Sequence, residues 1–98
     1  MASNRKLKPC FAFKFTKKAD KDFSKLEFRT QVFLLKKLEE KIASGNPFKD
    51  AAKLGGREGL FRHRFGSYRI VFSVKKDGSL VILLILKVAH RKDIYEDL

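Results

Sequence analysis

The chain has a single cysteine, Cys10, in 98 residues. No intramolecular disulfide can form, and a cysteine-based metal site is disfavoured. A reducing compartment fits this usage, and Cys10 itself, set in an apolar and aromatic run, reads as a small buried filler. Long apolar runs are missing too. The longest, Leu80 to Leu86, is seven residues, far short of the roughly 20 that span a bilayer. The polar, basic start MASNRKLKP is followed by no apolar core of the signal-peptide kind, so a soluble cytoplasmic protein without a membrane partner is expected. Acids are scarce, with 11 against 23 basic residues. No carboxylate cluster stands out to hold a magnesium ion, which disfavours a two-metal nuclease. A P-loop and a Ser–His–Asp signature are absent, and no cofactor or metal is expected.

Ten phenylalanines and a hydrophobic content of 44% argue for a folded globule rather than a disordered tail. Ninety-eight residues suit one domain with a modest core. That domain is read over 1–98, with Met1 to Pro9 as a flexible leader. The net charge of +12 points to a polyanion or an acidic partner; the lesser alternative is a basic protein kept soluble by its charge.

Cys10 to Phe15 alternates, with Phe11, Phe13 and Phe15 on one face, which predicts a half-buried strand. Thr16 is placed to cap a short helix carrying Ala19, Phe23 and Leu26. A second helix is predicted from Phe28 to Ser44 on the stripe Phe28, Val32, Leu35, Leu38, Ile42. Gly45 and Asn46-Pro47 end it, and the two helices form a packed hairpin. Phe48 to Glu58 is irregular, carries Lys53 and Arg57, and lets Leu54 tuck under the sheet. Three strands follow: Leu60 to Phe65, Tyr68 to Lys75, and Leu80 to Val88, the last apolar enough to be covered on both faces. Gly66-Ser67 and Lys76-Asp77-Gly78-Ser79 are the hairpin turns. His90 to Leu98 is a polar tail, a short helix or a hook against the sheet. The expected fold is α+β, order β-α-α-β-β-β, with the helical hairpin on one face of a mostly antiparallel four-stranded sheet and a short C-terminal segment.

Between Glu58 and Asp77 five basic residues occur without an acid: Arg62, Arg64, Arg69, Lys75 and Lys76. A Gly66-Ser67 turn pairs Phe65 with Tyr68 and Arg64 with Arg69, so Arg62, Arg64 and Arg69 share one face. Arg64 opposite Arg69 is a destabilising like-charge pair unless an anion lies between them. The alternative is that each arginine meets a carboxylate from Asp93, Glu96 or Asp97. Carried through the second turn, Lys76 pairs with Ser79 and Arg69 with Leu86, which brings His90, Arg91 and Tyr95 to the same end. His63 falls on the aromatic face. This set suits metal-free RNA cleavage. Guanidiniums neutralise a pentacoordinate phosphorus through bidentate bonds, a histidine moves the proton, and a tyrosine stacks a base or orients a hydroxyl. The wider RNA-contacting set is Lys53, Arg57, His63, Lys75, Lys76 and Lys92.

The stretches KLGG, LFRHRFGSYRIVFSV and ILLILKVAHRKDIY, in this order of elements, resemble the RelE/ParE superfamily of type II toxin–antitoxin toxins over Phe13 to Tyr95. That resemblance implies one of two activities: ribosome-dependent cleavage of mRNA, as in RelE-like members, or poisoning of DNA gyrase, as in ParE-like members. An inactive relative that binds only antitoxin or RNA is a further alternative. The RelE-like reading is favoured because it implies basic residues at Arg62, Arg64, Arg69 and Arg91 and a tyrosine at Tyr95. Arginines at Arg62 and Arg64 depart from the familiar lysines. An arginine essentially cannot give up its proton, so proton transfer falls to His90, or else to His63. The implied partners are the ribosome, mRNA and a RelB-like antitoxin, acidic and amphipathic.

Overall fold

The computed structural model describes residues 10–54 and 59–93; the leader at 1–9 lies outside the described residues. Alternating phenylalanines build β1 (Cys10–Phe15), and α1 (Lys17–Ser24) and α2 (Phe28–Ala43) follow. The remaining strands are β2 (Ala52–Lys53), β3 (Phe61–Phe65), β4 (Tyr68–Asp77) and β5 (Leu80–His90). They form one sheet in the order β1-β5-β4-β3-β2. β1 is parallel to β5, and the other pairings are antiparallel. The α+β arrangement is as expected, with one strand more. Two residues of the supposed irregular segment, Ala52 and Lys53, pair with Arg62 and Phe61 and extend the sheet beyond β3.

Thr16 caps α1, its Oγ1 accepting from the Ala19 N–H at 3.1 Å. The helices cover the sheet face that carries Phe13, Phe15, Ile70, Phe72, Leu83 and Ile85, and with Ala19, Leu34 and Leu38 these make the main core. Each fully buried side chain of this size contributes about 1.5–3 kcal/mol. The stripe of α2 differs from expectation in its first half. Leu34 and Leu38 are buried, whereas Phe28 is 78% and Val32 47% exposed. A polar residue sets this rotation: Gln31 donates from Nε2 to the Leu26 and Phe23 carbonyls at 3.0 and 3.2 Å. It thereby satisfies the end of α1 and turns its own face of α2 inward. Cys10 is exposed rather than buried, because it opens an edge strand.

The second hairpin closes differently from expectation. Asp77 pairs with Leu80 around Gly78-Ser79, and Lys76 pairs with Val81, not Ser79. Gly78 has φ +63, so glycine takes the first loop position, as in Gly66-Ser67. Farther along, Phe72 pairs with Ile85 but Val71 with Lys87, leaving Leu86 as the extra residue of a bulge. Arg69 consequently faces Ala89 rather than Leu86. β5 is also covered less evenly than its apolarity implied. Val81, Leu83 and Ile85 are buried under the helices, while Ile82, Leu84 and Leu86 on the other side are half-buried.

Candidate nucleic-acid interface

The β3–β4 turn organises the basic end of the sheet. Gly66 at φ +61 supplies the left-handed backbone that closes a two-residue loop, and Phe65 pairs with Tyr68, Arg64 with Arg69 and Arg62 with Val71. The expected register of this hairpin is the observed one. Arg62, Arg64 and Arg69 therefore share the sheet face that turns away from the helices. Arg64 is exposed, and Arg62 and Arg69 are half-buried. Arg69 folds back on the turn, donating from Nη1 to the Gly66 carbonyl at 2.9 Å and the Tyr68 carbonyl at 3.0 Å. Arg64 has no ion pair with any described residue. Arg91 follows β5, and its N–H donates to the Ser67 carbonyl at 2.8 Å, which pins it beside the same turn. Four arginines are thus gathered at one end of the sheet.

The histidines are not with them. His63 is 1% exposed and lies between the rings of Phe65 and Phe72, each 5.3 Å away. Its Nε2 bonds the Pro47 carbonyl at 2.6 Å, which as a carbonyl must accept, so this nitrogen carries the proton. Burial lowers its pKa below the ordinary 6.5; the Pro47 bond opposes this and Lys41 adds to it. His63 is a core residue, and its assignment to an RNA-contacting surface is corrected by its position on the helix-covered face. His90 pairs with Tyr68, and their rings meet edge to face at 5.6 Å. The bulge at Leu86 places His90 on the helix side, opposite the arginines, where unbroken alternation would have aligned it with them. Its Nδ1 accepts from the Lys92 N–H at 3.3 Å.

Lys53 is exposed on β2, opposite Phe61. Lys75 and Lys76 are exposed at the far end of β4, about 20 Å along the strand from Arg69, so the fold separates them from the arginine cluster. Lys92 is exposed just after Arg91. Arg57, Tyr95 and the tail beyond Asp93 lie outside the described residues. A groove of about 470 Å³ between α2 and β3 brings Lys37, Lys41 and Lys49 beside Arg64. Glu40 and Asp50 line it too and pair with Lys37 and Lys41 at 3.7 and 3.8 Å, so the field there is only partly positive. Among the described residues no group of three or more His, Cys, Asp or Glu is placed to hold a metal ion, and no helix is long and apolar enough to cross a membrane.

One residue of this face was missed. Lys87, paired with Val71, is on the arginine side of β5 and only 6% exposed. The signal was a lone lysine interrupting the otherwise apolar run from Leu80 to Ala89.

Solved structures with the same fold are toxin–antitoxin proteins. The RelBE2 complex of Mycobacterium tuberculosis matches at 28% identity and TM-score 0.65, over 85% of this chain and 99% of that one. The intact Escherichia coli RelBE complex matches at 25% identity and TM-score 0.62, over 80% and 93%. The RelB–RelE complex of Methanococcus jannaschii matches at 27% identity and TM-score 0.59, over 84% and 94%. A comparison with curated protein sequences gave no significant match. The family model for the ParE toxin of the type II toxin–antitoxin system parDE matches residues 13–95. With nearly the whole chain matched by that model and the fold shared with RelE structures, the protein belongs to the RelE/ParE superfamily of type II toxin–antitoxin toxins.

Proposed function

We propose that this toxin is an endoribonuclease that cuts mRNA on the ribosome and so stops translation. One observation carries the reading: Arg64, exposed and without an ion pair to any described residue, stands directly across from Arg69 on the sheet face away from the helices. Like charges directly opposite each other on neighbouring strands lower stability, and a sequence selected for folding alone would put Thr or Val there. With Arg62 and Arg91 at the same end, the cluster fits the charge that builds on a phosphate under attack.

In this reading the 2′-hydroxyl of the substrate attacks the adjacent phosphorus and expels the 5′-oxygen. The products are a 2′,3′-cyclic phosphate and a 5′-hydroxyl end. The four guanidiniums neutralise the non-bridging oxygens. Arginine does not exchange its proton at neutral pH, so His90 takes the proton released by the 2′-hydroxyl and returns it to the departing 5′-oxygen. His90 ends β5 next to Arg91, with its ring on the other face of the sheet from Arg62, Arg64 and Arg69, so this role requires the RNA to pass over the end of the strand. Tyr95 stacks a base or orients a hydroxyl, and Lys53, Arg57 and Lys92 track the flanking backbone. His63 has no part in contact with RNA.

A second reading, inhibition of DNA gyrase, is favoured by the parDE description of the matching family model. Pulse-labelling after induction separates the two. The nuclease reading predicts that protein synthesis stops first; DNA synthesis stopping first, with gyrase-linked breaks, supports the second.

The partner in either case is an antitoxin, as in the RelB–RelE complexes that share the fold. Phe28, Val32 and Phe33 form an exposed apolar strip on α2, and such patches mark interaction sites. An amphipathic acidic segment fits this strip and the surrounding positive charge.

A further inference from the structure

Lys87 is the anomaly of the basic face. Its neighbours along β5 are aliphatic on both sides of the strand, and an aliphatic residue in its place would leave no polar atom to satisfy. Instead the side chain is 6% exposed, and Nζ is shut off from solvent with no hydrogen-bond partner. An ammonium with three unused donors in such a position is costly. The fold does not place it at random. Arg62, Val71 and Lys87 form one cross-strand row on the face away from the helices, and the next row is Arg64, Arg69 and Ala89. Arg62 and Lys87 flank Val71 from strands about 10 Å apart. Val71 between them is fully buried beneath Leu54 and Leu60, so a phosphate shared by the two cations lies at the rim of that apolar cover.

Resting on the nuclease reading of this face, we propose that Lys87 is a further substrate-contacting residue, its ammonium donating to a non-bridging oxygen of the RNA phosphate that Arg62 also faces. Four flexible methylenes let Nζ swing from its covered position to the anion without a change in backbone. The donors idle in the free protein are then satisfied in the complex. The bulge at Leu86 is what aims Lys87 at this face, so the irregularity that removes His90 from the arginines adds Lys87 to them.

The test is the binding of a short 2′-O-methyl oligoribonucleotide, which cannot be cut by 2′-hydroxyl attack, by wild-type, Lys87→Met and Lys87→Arg chains over a range of salt. Lys87→Met is expected to bind about tenfold more weakly and to lose about 0.7 from the slope of log affinity against log salt. Its Tm should equal or exceed that of the wild type, because an unsatisfied buried charge has gone. Lys87→Arg should keep the slope. Should Lys87→Met fail to fold, Lys87→Gln makes the same comparison. Unchanged affinity and slope on loss of the charge overturn the proposal, as does a loss confined to binding of an acidic peptide. A wild-type chain whose RNA binding ignores salt overturns the reading of the whole face, a separate result from failure at Lys87 alone.

Discussion

His63 ties the fold to pH. Because burial holds its pKa below 6.5, the unfolded chain binds more protons than the folded one as pH falls through that value. Stability must therefore fall with it, the loss levelling off below the folded pKa. Tm measured downward from about pH 7.5 should decline before carboxylate titration begins. His63→Phe should remove that part of the slope while costing about 1–3 kcal/mol at neutral pH, because the Pro47 carbonyl loses its donor. At the basic end the expected trade runs the other way. Arg64→Ala removes half of a like-charge pair, so Tm should hold or rise slightly, while mRNA cleavage should drop by about a hundredfold or more. Gly66→Ala is strained at φ +61 and should cost about 1–2 kcal/mol, read by chemical denaturation.

At the scale of elements, the bulge in β5 decides which side chains share a face. Deleting Leu86 would let Phe72–Ile85 and Val71–Lys87 become consecutive pairs, so the chain should still fold, with a lowered Tm. Deleting Val88 would put Ala89 into the core position and His90 on the arginine side, and the cooperative transition should be lost. Thr16→Ala, which removes the cap bond to Ala19, should cost about 1 kcal/mol. The same elements mark where sequence reasoning held and where it stopped. The β3–β4 register was legible because Gly66-Ser67 lies between two alternating strands whose apolar faces must coincide. The β4–β5 register was not, since Asp77-Gly78 and Gly78-Ser79 are both good turn dipeptides and β5 is apolar at nearly every position. A pattern without alternation hides a one-residue bulge, and with it the places of His90 and Lys87. The early part of α2 was misread because Gln31, a polar side chain, takes an inward position to satisfy the end of α1.

The molecule as a whole carries a charge of +12, with Arg62, Arg64, Arg69 and Arg91 collected at one sheet end and an apolar strip exposed on α2. Charge draws in both RNA and an acidic antitoxin, so affinity for either should fall steeply with salt, and only chemistry at the arginine end tells them apart. The deciding measurement is mRNA cleavage in a translating extract by the wild-type chain and by the Arg69→Ala/Arg91→Ala double variant, with circular dichroism to check the fold. The account predicts cut mRNA ending in 2′,3′-cyclic phosphate for the wild type, and intact mRNA for a folded double variant. Full cleavage by that variant would contradict it.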